Sequence, residues 1–413
     1  FGSSGSKGAQ GLAFSLHRGR LRKRGRRMCR TPAADREAEP EEASAGSLVA
    51  DPPGVAVVAR TCCSAPKCPP GILQLDAGCL MTVCLCLDAK GTRRLQGASR
   101  TLAETIPLAC HRGPYIYACG GYSGGPGLGG DCRGMHSSVE RFDISRGAWE
   151  KLSPMTTVRA APVGGVIDGC IYIAGGFNGQ QNLNTAECYI PGRGWHELPP
   201  MQDPRFGANA TVLGGRLFVC GGNDGKKPLN TVEAFDPKTN KWSAMPSMRQ
   251  CRVGVVCAAL EGKLYAVGGR DAANDLKTAE SLDVTTPTKW TAEPSMTSRR
   301  FAAAGAALSG RIYICGGRGP NDGFNLATME VFDPSRRLWE PMPSMRCSRF
   351  AAWACAFDGR LIVCGGLEKG TMVSGARRHR TIEVFDAEAG CWSMMRAKMD
   401  ERRGGPVCGV LAE

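Results

Sequence analysis

Beyond residue 110, six arginines recur at near-regular intervals: Arg159, Arg205, Arg252, Arg300, Arg349 and Arg403. A guanidinium can hold a carboxylate through two parallel hydrogen bonds, so a row of them on one surface would suit an acidic partner. A glutamate recurs equally often, which leaves six internal Arg–Glu pairs between repeat units as the alternative. Other chemistry is sparse. The five histidines, His17, His111, His136, His196 and His379, are scattered. His136 and His379 could meet across one seam, but two histidines without a third ligand make a poor metal site. Cys62, Cys63, Cys68, Cys79, Cys84 and Cys86 fit no zinc spacing, and no histidine lies among them. Residues 111–413 contain no HExxH, paired-cysteine zinc signature, phosphate loop or nucleophile elbow. The expectation is a protein that is not an enzyme and needs neither metal nor cofactor.

The elements that must position these residues are set by a repeat. Glycine pairs occur at Gly120-Gly121, Gly175-Gly176, Gly221-Gly222, Gly268-Gly269, Gly316-Gly317 and Gly365-Gly366, each after an apolar run such as YIYAC or LFVC. A glutamate follows each pair: Glu140, Glu187, Glu233, Glu280, Glu330 and Glu383. A tryptophan comes next: Trp149, Trp195, Trp242, Trp290, Trp339 and Trp392. Then come Met155, Met201, Met248, Met296, Met345 and Met399, each four residues ahead of its arginine. With 55 glycines and no collagen-like period, many tight turns in an all-β chain are expected. The short apolar runs, bounded by Gly, Asp and Asn, read as strands.

This register resembles the kelch family: a double glycine, an aromatic and then a tryptophan at a period near 50. Leu282 replaces the aromatic in copy four, and copy one lacks a clear preceding strand. The resemblance implies a six-bladed β-propeller over residues 106–413, with four antiparallel strands per blade. Blade one is expected over 114–155, blade two over 159–201 and blade three over 205–248. Blades four, five and six follow over 252–296, 300–345 and 349–399. The tail after Arg403 repeats the pattern that begins blades two to six, so residues 404–411 should supply blade one's innermost strand. A strand within 101–110 is the alternative. Because the glycines, tryptophans and Cys119, Cys220, Cys315 and Cys364 recur copy after copy, they read as architecture.

Antiparallel connectivity puts the arginines and the loops after the glycine pairs on one rim. From second glycine to glutamate these loops span 19, 11, 11, 11, 13 and 17 residues, so the longest belong to blades one and six, neighbours after closure. Long loops on a rigid scaffold commonly carry binding function. The blade-six loop holds Arg377, Arg378, His379 and Arg380; the blade-one loop holds Tyr122, Asp131, Arg133 and His136. The expected partner-binding set is Arg205, Arg252, Arg300, Arg349, Arg159 and Arg403 with Arg377, Arg378 and Arg380. Tyr122 and Phe177 are its expected apolar anchors.

Net charge is +14. Residues 1–110 hold 16 basic and 9 acidic side chains, which leaves 36 and 29 in 111–413, so each part carries +7. Segment 1–105, with its basic run 18–30 and acidic block 35–42, lacks sustained periodicity and is expected to be mostly disordered. Its basic run suits a nuclear localisation signal, a nucleic-acid tether or a merely solvated tail. With 21 cysteines, no recognisable secretory signal and no long apolar run, the thiols should be reduced, in a cytoplasmic or nuclear setting. A membrane is not expected, nor nucleic acid as a partner of the propeller. The resemblance implies a protein–protein interaction module, with connections to cullin-RING ubiquitin ligases or to actin. A ligase adaptor would need BTB and BACK domains in a longer chain. The other alternative the family offers is a metal-dependent oxidase or sugar-isomerising enzyme.

Overall fold

The computed structural model describes residues 114–123, 134–144, 146–319, 324–368 and 378–411. They form 24 β-strands, numbered β1 to β24 in chain order, with no helix among the described residues. Blade one is built from β24 (Val407–Leu411), β1 (Tyr115–Cys119), β2 (Val139–Asp143) and β3 (Ala148–Leu152), hydrogen-bonded in that order. Blade two holds β4 (Val163–Ile167), β5 (Cys170–Ala174), β6 (Ala186–Ile190) and β7 (Gly194–Leu198). Blade three holds β8 (Asn209–Leu213), β9 (Arg216–Cys220), β10 (Val232–Asp236) and β11 (Lys241–Met245). Blade four holds β12 (Val256–Leu260), β13 (Lys263–Val267), β14 (Ala279–Asp283) and β15 (Thr291–Glu293). Blade five holds β16 (Ala304–Leu308), β17 (Arg311–Cys315), β18 (Met329–Asp333) and β19 (Leu338–Met342). Blade six holds β20 (Trp353–Phe357), β21 (Arg360–Cys364), β22 (Ile382–Asp386) and β23 (Cys391–Met394). The first strands of successive blades touch in a closed ring, β24 to β4, β8, β12, β16, β20 and back to β24. The architecture is the six-bladed propeller expected from the repeat. Segment 1–105 and Arg377 lie outside the described residues.

Strand character follows from position in the blade. The second strand of blade one, YIYAC in β1, is buried along its whole length and the other second strands along most of theirs, because a neighbouring blade covers each face. Fourth strands such as KWSAM in β11 lie at the outer edge and are largely exposed. Closure is settled by β1: Tyr115 to Cys119 pair with Leu411 to Val407 on one side and with Asp143 to Val139 on the other. Both edges of β1 are thus occupied, and the alternative segment 101–110 lies outside the described residues. The C-terminal strand thereby removes the open edge a propeller would otherwise present.

Two repeat features join one blade to the next. The second glycine of each pair donates its N–H to the carbonyl of the following blade's arginine, as in Gly269 to Arg300 at 2.8 Å. A Cβ on Gly268 (φ 62°) would stand 2.7 Å from that same carbonyl oxygen, so the approach excludes a side chain. The tryptophans of blades three, five and six lie against the aromatic of their own blade, and those of blades three to six each tie to the previous blade. Trp242 lies 5.1 Å from Phe235, and its Nε1 donates to the Pro199 carbonyl at 2.8 Å. Trp290, Trp339 and Trp392 repeat the bond to Pro246, Pro294 and Pro343. The cysteines before the glycine pairs are packing groups. Cys119, Cys220, Cys315 and Cys364 are buried, and burial pushes the thiols of Cys119 and Cys315 up to about 12, out of thiolate chemistry.

Candidate functional site

The six repeat arginines do not form a surface row. All are 0–1% exposed. Arg252 donates from Nε to Glu280 Oε1 at 2.8 Å, and from Nη1 to the Gly268 and Thr278 carbonyls at 2.7 and 3.0 Å. Its Nη2 reaches Thr278 Oγ1 at 3.1 Å and lies 2.8 Å from Glu280 Oε1. The other carboxylate oxygen, Oε2, accepts the Arg249 N–H at 2.7 Å, which pins the chain arriving from blade three. Arg159–Glu187, Arg205–Glu233, Arg300–Glu330, Arg349–Glu383 and Arg403–Glu140 are paired in the same way. The expectation that Arg159, Arg205, Arg252, Arg300, Arg349 and Arg403 contact a partner is therefore corrected. Their donors are consumed inside the protein. The Arg–Glu alternative is what the structure shows, but within each blade instead of between blades. Burial lowers the pKa of Arg159 and Arg252, opposed by their glutamates. At Glu330 burial works against the charge, yet bonds from Thr297 and Arg300 keep the carboxyl below its usual range.

At the channel mouth the rim carries a double ring of half-buried and buried residues. The residue after each arginine bridges, antiparallel, to the residue after a glycine pair. These bridges are Ala160 with Phe177, Phe206 with Asn223, Val253 with Arg270, Phe301 with Arg318, Phe350 with Leu367 and Gly404 with Tyr122. One residue further in, Ala161, Gly207, Gly254, Ala302, Ala351 and Gly405 all have φ between 45° and 64°. Five of them are linked from blade to blade by four N–H to carbonyl bonds: Gly254 to Gly207, Ala302 to Gly254, Ala351 to Ala302 and Gly405 to Ala351. An alanine in this left-handed region costs roughly 1–2 kcal/mol. Here the surrounding backbone bonds hold it there.

The mouth encloses a cavity of about 270 Å³ whose walls include Phe206, Val253, Phe301 and Phe350. Deeper in the channel a second cavity, of about 220 Å³, is lined mainly by small residues such as Gly165, Ala259 and Ala306. Asn209 and Trp353 line both. Arginines gather at the edge over blades four and five. Arg318 stacks over Phe301, 4.8 Å from the ring centroid. Arg270 and Arg318 approach the same Asp275 carboxylate oxygen, at 3.4 and 3.5 Å, and Arg299 donates to the Asp275 carbonyl at 2.7 Å. The Arg270 and Arg318 side chains remain 41% and 20% exposed, so two cations facing solvent share one carboxylate.

Of the expected anchors, Tyr122 is buried beneath Arg378, whose guanidinium lies 4.6 Å from the ring centroid, so it is not an open contact. Phe177 is half-buried, edge-on to Phe206 at 6.1 Å. Arg380 is exposed, with its Nε bonded to the Met399 carbonyl. Asp131 and Arg133 lie outside the described residues. His136 sits 2.9 Å from Glu401, and His379 faces the Ser348 carbonyl at 3.3 Å, so each has its own partner. No cluster of three or more His, Cys, Asp or Glu positioned for a metal occurs among the described residues. Sequence reasoning missed Arg270, Arg318, Phe206, Phe301 and Phe350. Their signal was positional: each directly follows a glycine pair or a repeat arginine.

A KLHDC2/KLHL20/DRC7 Kelch-repeats domain model matches residues 107–292 and 166–366, and a Kelch motif model matches 349–398. The chain belongs to the kelch-repeat family. Its fold is also similar to the solved structure titled "Structure of YjhT", with a TM-score of 0.56 and 15% sequence identity. That likeness covers 68% of this chain and 98% of the other, and at this identity it shows the fold alone.

Proposed function

We propose that this kelch propeller is a non-catalytic interaction module that binds an acidic segment of a protein partner across the channel mouth. The observation that carries the reading is the pairing of an apolar cavity with an under-neutralised basic edge, where Arg270 and Arg318 share Asp275. Phe324, 70% exposed in the blade-five loop, adds apolar contact surface on the same side as Arg318. Kelch domains commonly mediate protein–protein interaction, which supports the reading. A substrate-recognition role in a cullin-RING ligase would use the same face, and would require BTB and BACK domains in a longer chain.

The test is selection of a phage-displayed random peptide library on the propeller, followed by affinity measurement at two ionic strengths. Acidic sequences should be enriched, and their affinity should fall with salt, because exposed charges are screened over about 10 Å at 0.1 M. A single exposed ion pair contributes up to about 1 kcal/mol, so the Arg270→Glu, Arg318→Glu double variant should weaken binding by roughly tenfold or more. Lys238→Glu, in the outer β10–β11 turn, should change nothing. Equal affinity of the double variant, with its melting transition intact, would place the binding face elsewhere.

A further inference from the structure

The repeat is broken at one register position inside the channel. Four residues after each arginine, blades one, two, four and five carry Val407, Val163, Val256 and Ala304, all buried at 1–4% exposure. Blades three and six carry Asn209 and Trp353 instead, and both are only half-buried. In a closed ring of six, blades three and six stand opposite each other. Both side chains line the mouth cavity and the deeper one, so they mark the boundary between the two. Trp353 also lies outside the repeat series of tryptophans, whose Nε1 in blades three to six is spent on the previous blade. Among the described residues neither the Asn209 amide nor the Trp353 indole N–H has a hydrogen-bond partner, and neither is sealed from the channel.

Resting on the interaction reading, we infer that this boundary is the floor of a pocket for one tyrosine side chain of the partner's acidic segment. The cavity, about 270 Å³ and walled by Phe206, Phe301 and Phe350, has the size and character for one aromatic ring. At its floor stand an indole donor and an amide able both to donate and to accept. A phenolic hydroxyl uses both: it accepts from one donor and donates to the amide oxygen. A phenylalanine leaves these groups stripped of water and unpaired, which is how a polar site rejects an isostere that lacks the hydroxyl. A carboxylate entering the cavity would have to shed its hydration against Phe206, Phe301 and Phe350, whereas at the edge it meets the solvent-facing Arg270 and Arg318, so the acidic residues belong beside the anchor, at the rim. The arrangement selects a tyrosine flanked by Asp or Glu.

The probes are three fluorescein-labelled peptides, Asp-Glu-X-Glu-Asp with X as Tyr, Phe or Ala, followed by fluorescence anisotropy. On the wild-type protein the Tyr peptide should bind about tenfold more tightly than the Phe peptide, and the Ala peptide most weakly. Asn209→Val and Trp353→Val install the residue that Val163, Val256 and Val407 already show to fit this register, so the fold should tolerate them. Either variant should reduce the Tyr-over-Phe ratio to near one while leaving the salt dependence unchanged. Equal binding of Tyr and Phe by the wild type, or a ratio that survives in the Asn209→Val, Trp353→Val double variant, overturns the pocket. Tight, Arg270-dependent binding of the Ala peptide would retain the interaction reading and reject the anchor. Salt-independent binding or no binding by all three would reject both.

Discussion

Replacing Arg252 by Met tests whether the repeat arginines are internal locks. The substitution keeps an unbranched side chain of moderate length but deletes the fork. Glu280 Oε1 then loses its charged donor, and the Gly268 and Thr278 carbonyls lose Nη1, all in a region where Arg252 is 1% exposed. Breaking a buried ion pair by removing one partner costs about 3–5 kcal/mol, because the remaining charge is left uncompensated. For a domain of roughly 300 residues that corresponds to a melting temperature lower by about 5–8 °C. Arg252→Lys should rescue little, since an ammonium cannot reproduce the planar five-donor geometry. Arg252→Met with Glu280→Gln should recover part of the loss: the buried charge is gone, while an acceptor for the Arg249 N–H remains. Calorimetry on the three variants, with peptide affinity measured on each folded protein, completes the experiment. An Arg252→Met protein that melts within about 1 °C of wild type but no longer binds acidic peptide would refute the lock and restore the arginine to the surface.

Two further expectations concern closure and acidity. Deleting residues 403–413 removes β24 and exposes the apolar edge of β1, so the product should be insoluble or destabilised by several kcal/mol; an unchanged melting curve would mean that other residues cover that edge. His379 is buried and held below its ordinary 6.5 by burial and by Arg349, with Glu368 and Glu383 pulling the other way. On acidification the unfolded chain therefore takes up its proton first. The contribution of His379 is complete above 6.5 and is lost as pH falls from there towards its depressed folded value. His379→Gln should flatten that acid limb in urea midpoints, and an unchanged slope would contradict the assignment.

Much of the fold was legible because the repeat multiplies every signal by six. A glycine pair, a glutamate, a tryptophan and a methionine at matching offsets give the blade count, and the orphan strand after Arg403 points to the C-terminal closure. The same periodicity obscured the role of the arginines. Register places Arg252 at the rim, but it cannot say whether the guanidinium points outwards or folds back beneath the glycine pair. The deciding partners were present in the sequence: Thr185, Thr231, Thr278, Thr328 and Thr381, with Ser138 in blade one, each two residues ahead of the glutamate and each bonded to Nη2. Six short hydroxyl side chains in that position are hard to explain on a solvated rim, and follow directly from a buried fork in need of acceptors.

A propeller built this way separates stability from recognition. Whatever recurs in all six blades is committed to architecture: the Arg–Glu locks brace each blade internally, and the glycine pairs join it to the next. Those residues are buried and saturated, so they have no donors left for a partner. A binding surface with a preferred orientation must therefore be written in the positions where the copies disagree. After the glycine pairs the copies carry Tyr122, Phe177, Asn223, Arg270, Arg318 and Leu367; only blades four and five place a cation there. Inside the mouth, valine or alanine gives way to Asn209 and Trp353 in opposed blades. The first set of differences puts positive charge on one side of the mouth, and the second puts hydrogen-bonding groups on its floor. A ligand that reads both must carry its charge to one side of the group that enters the channel, which fixes its direction across the face.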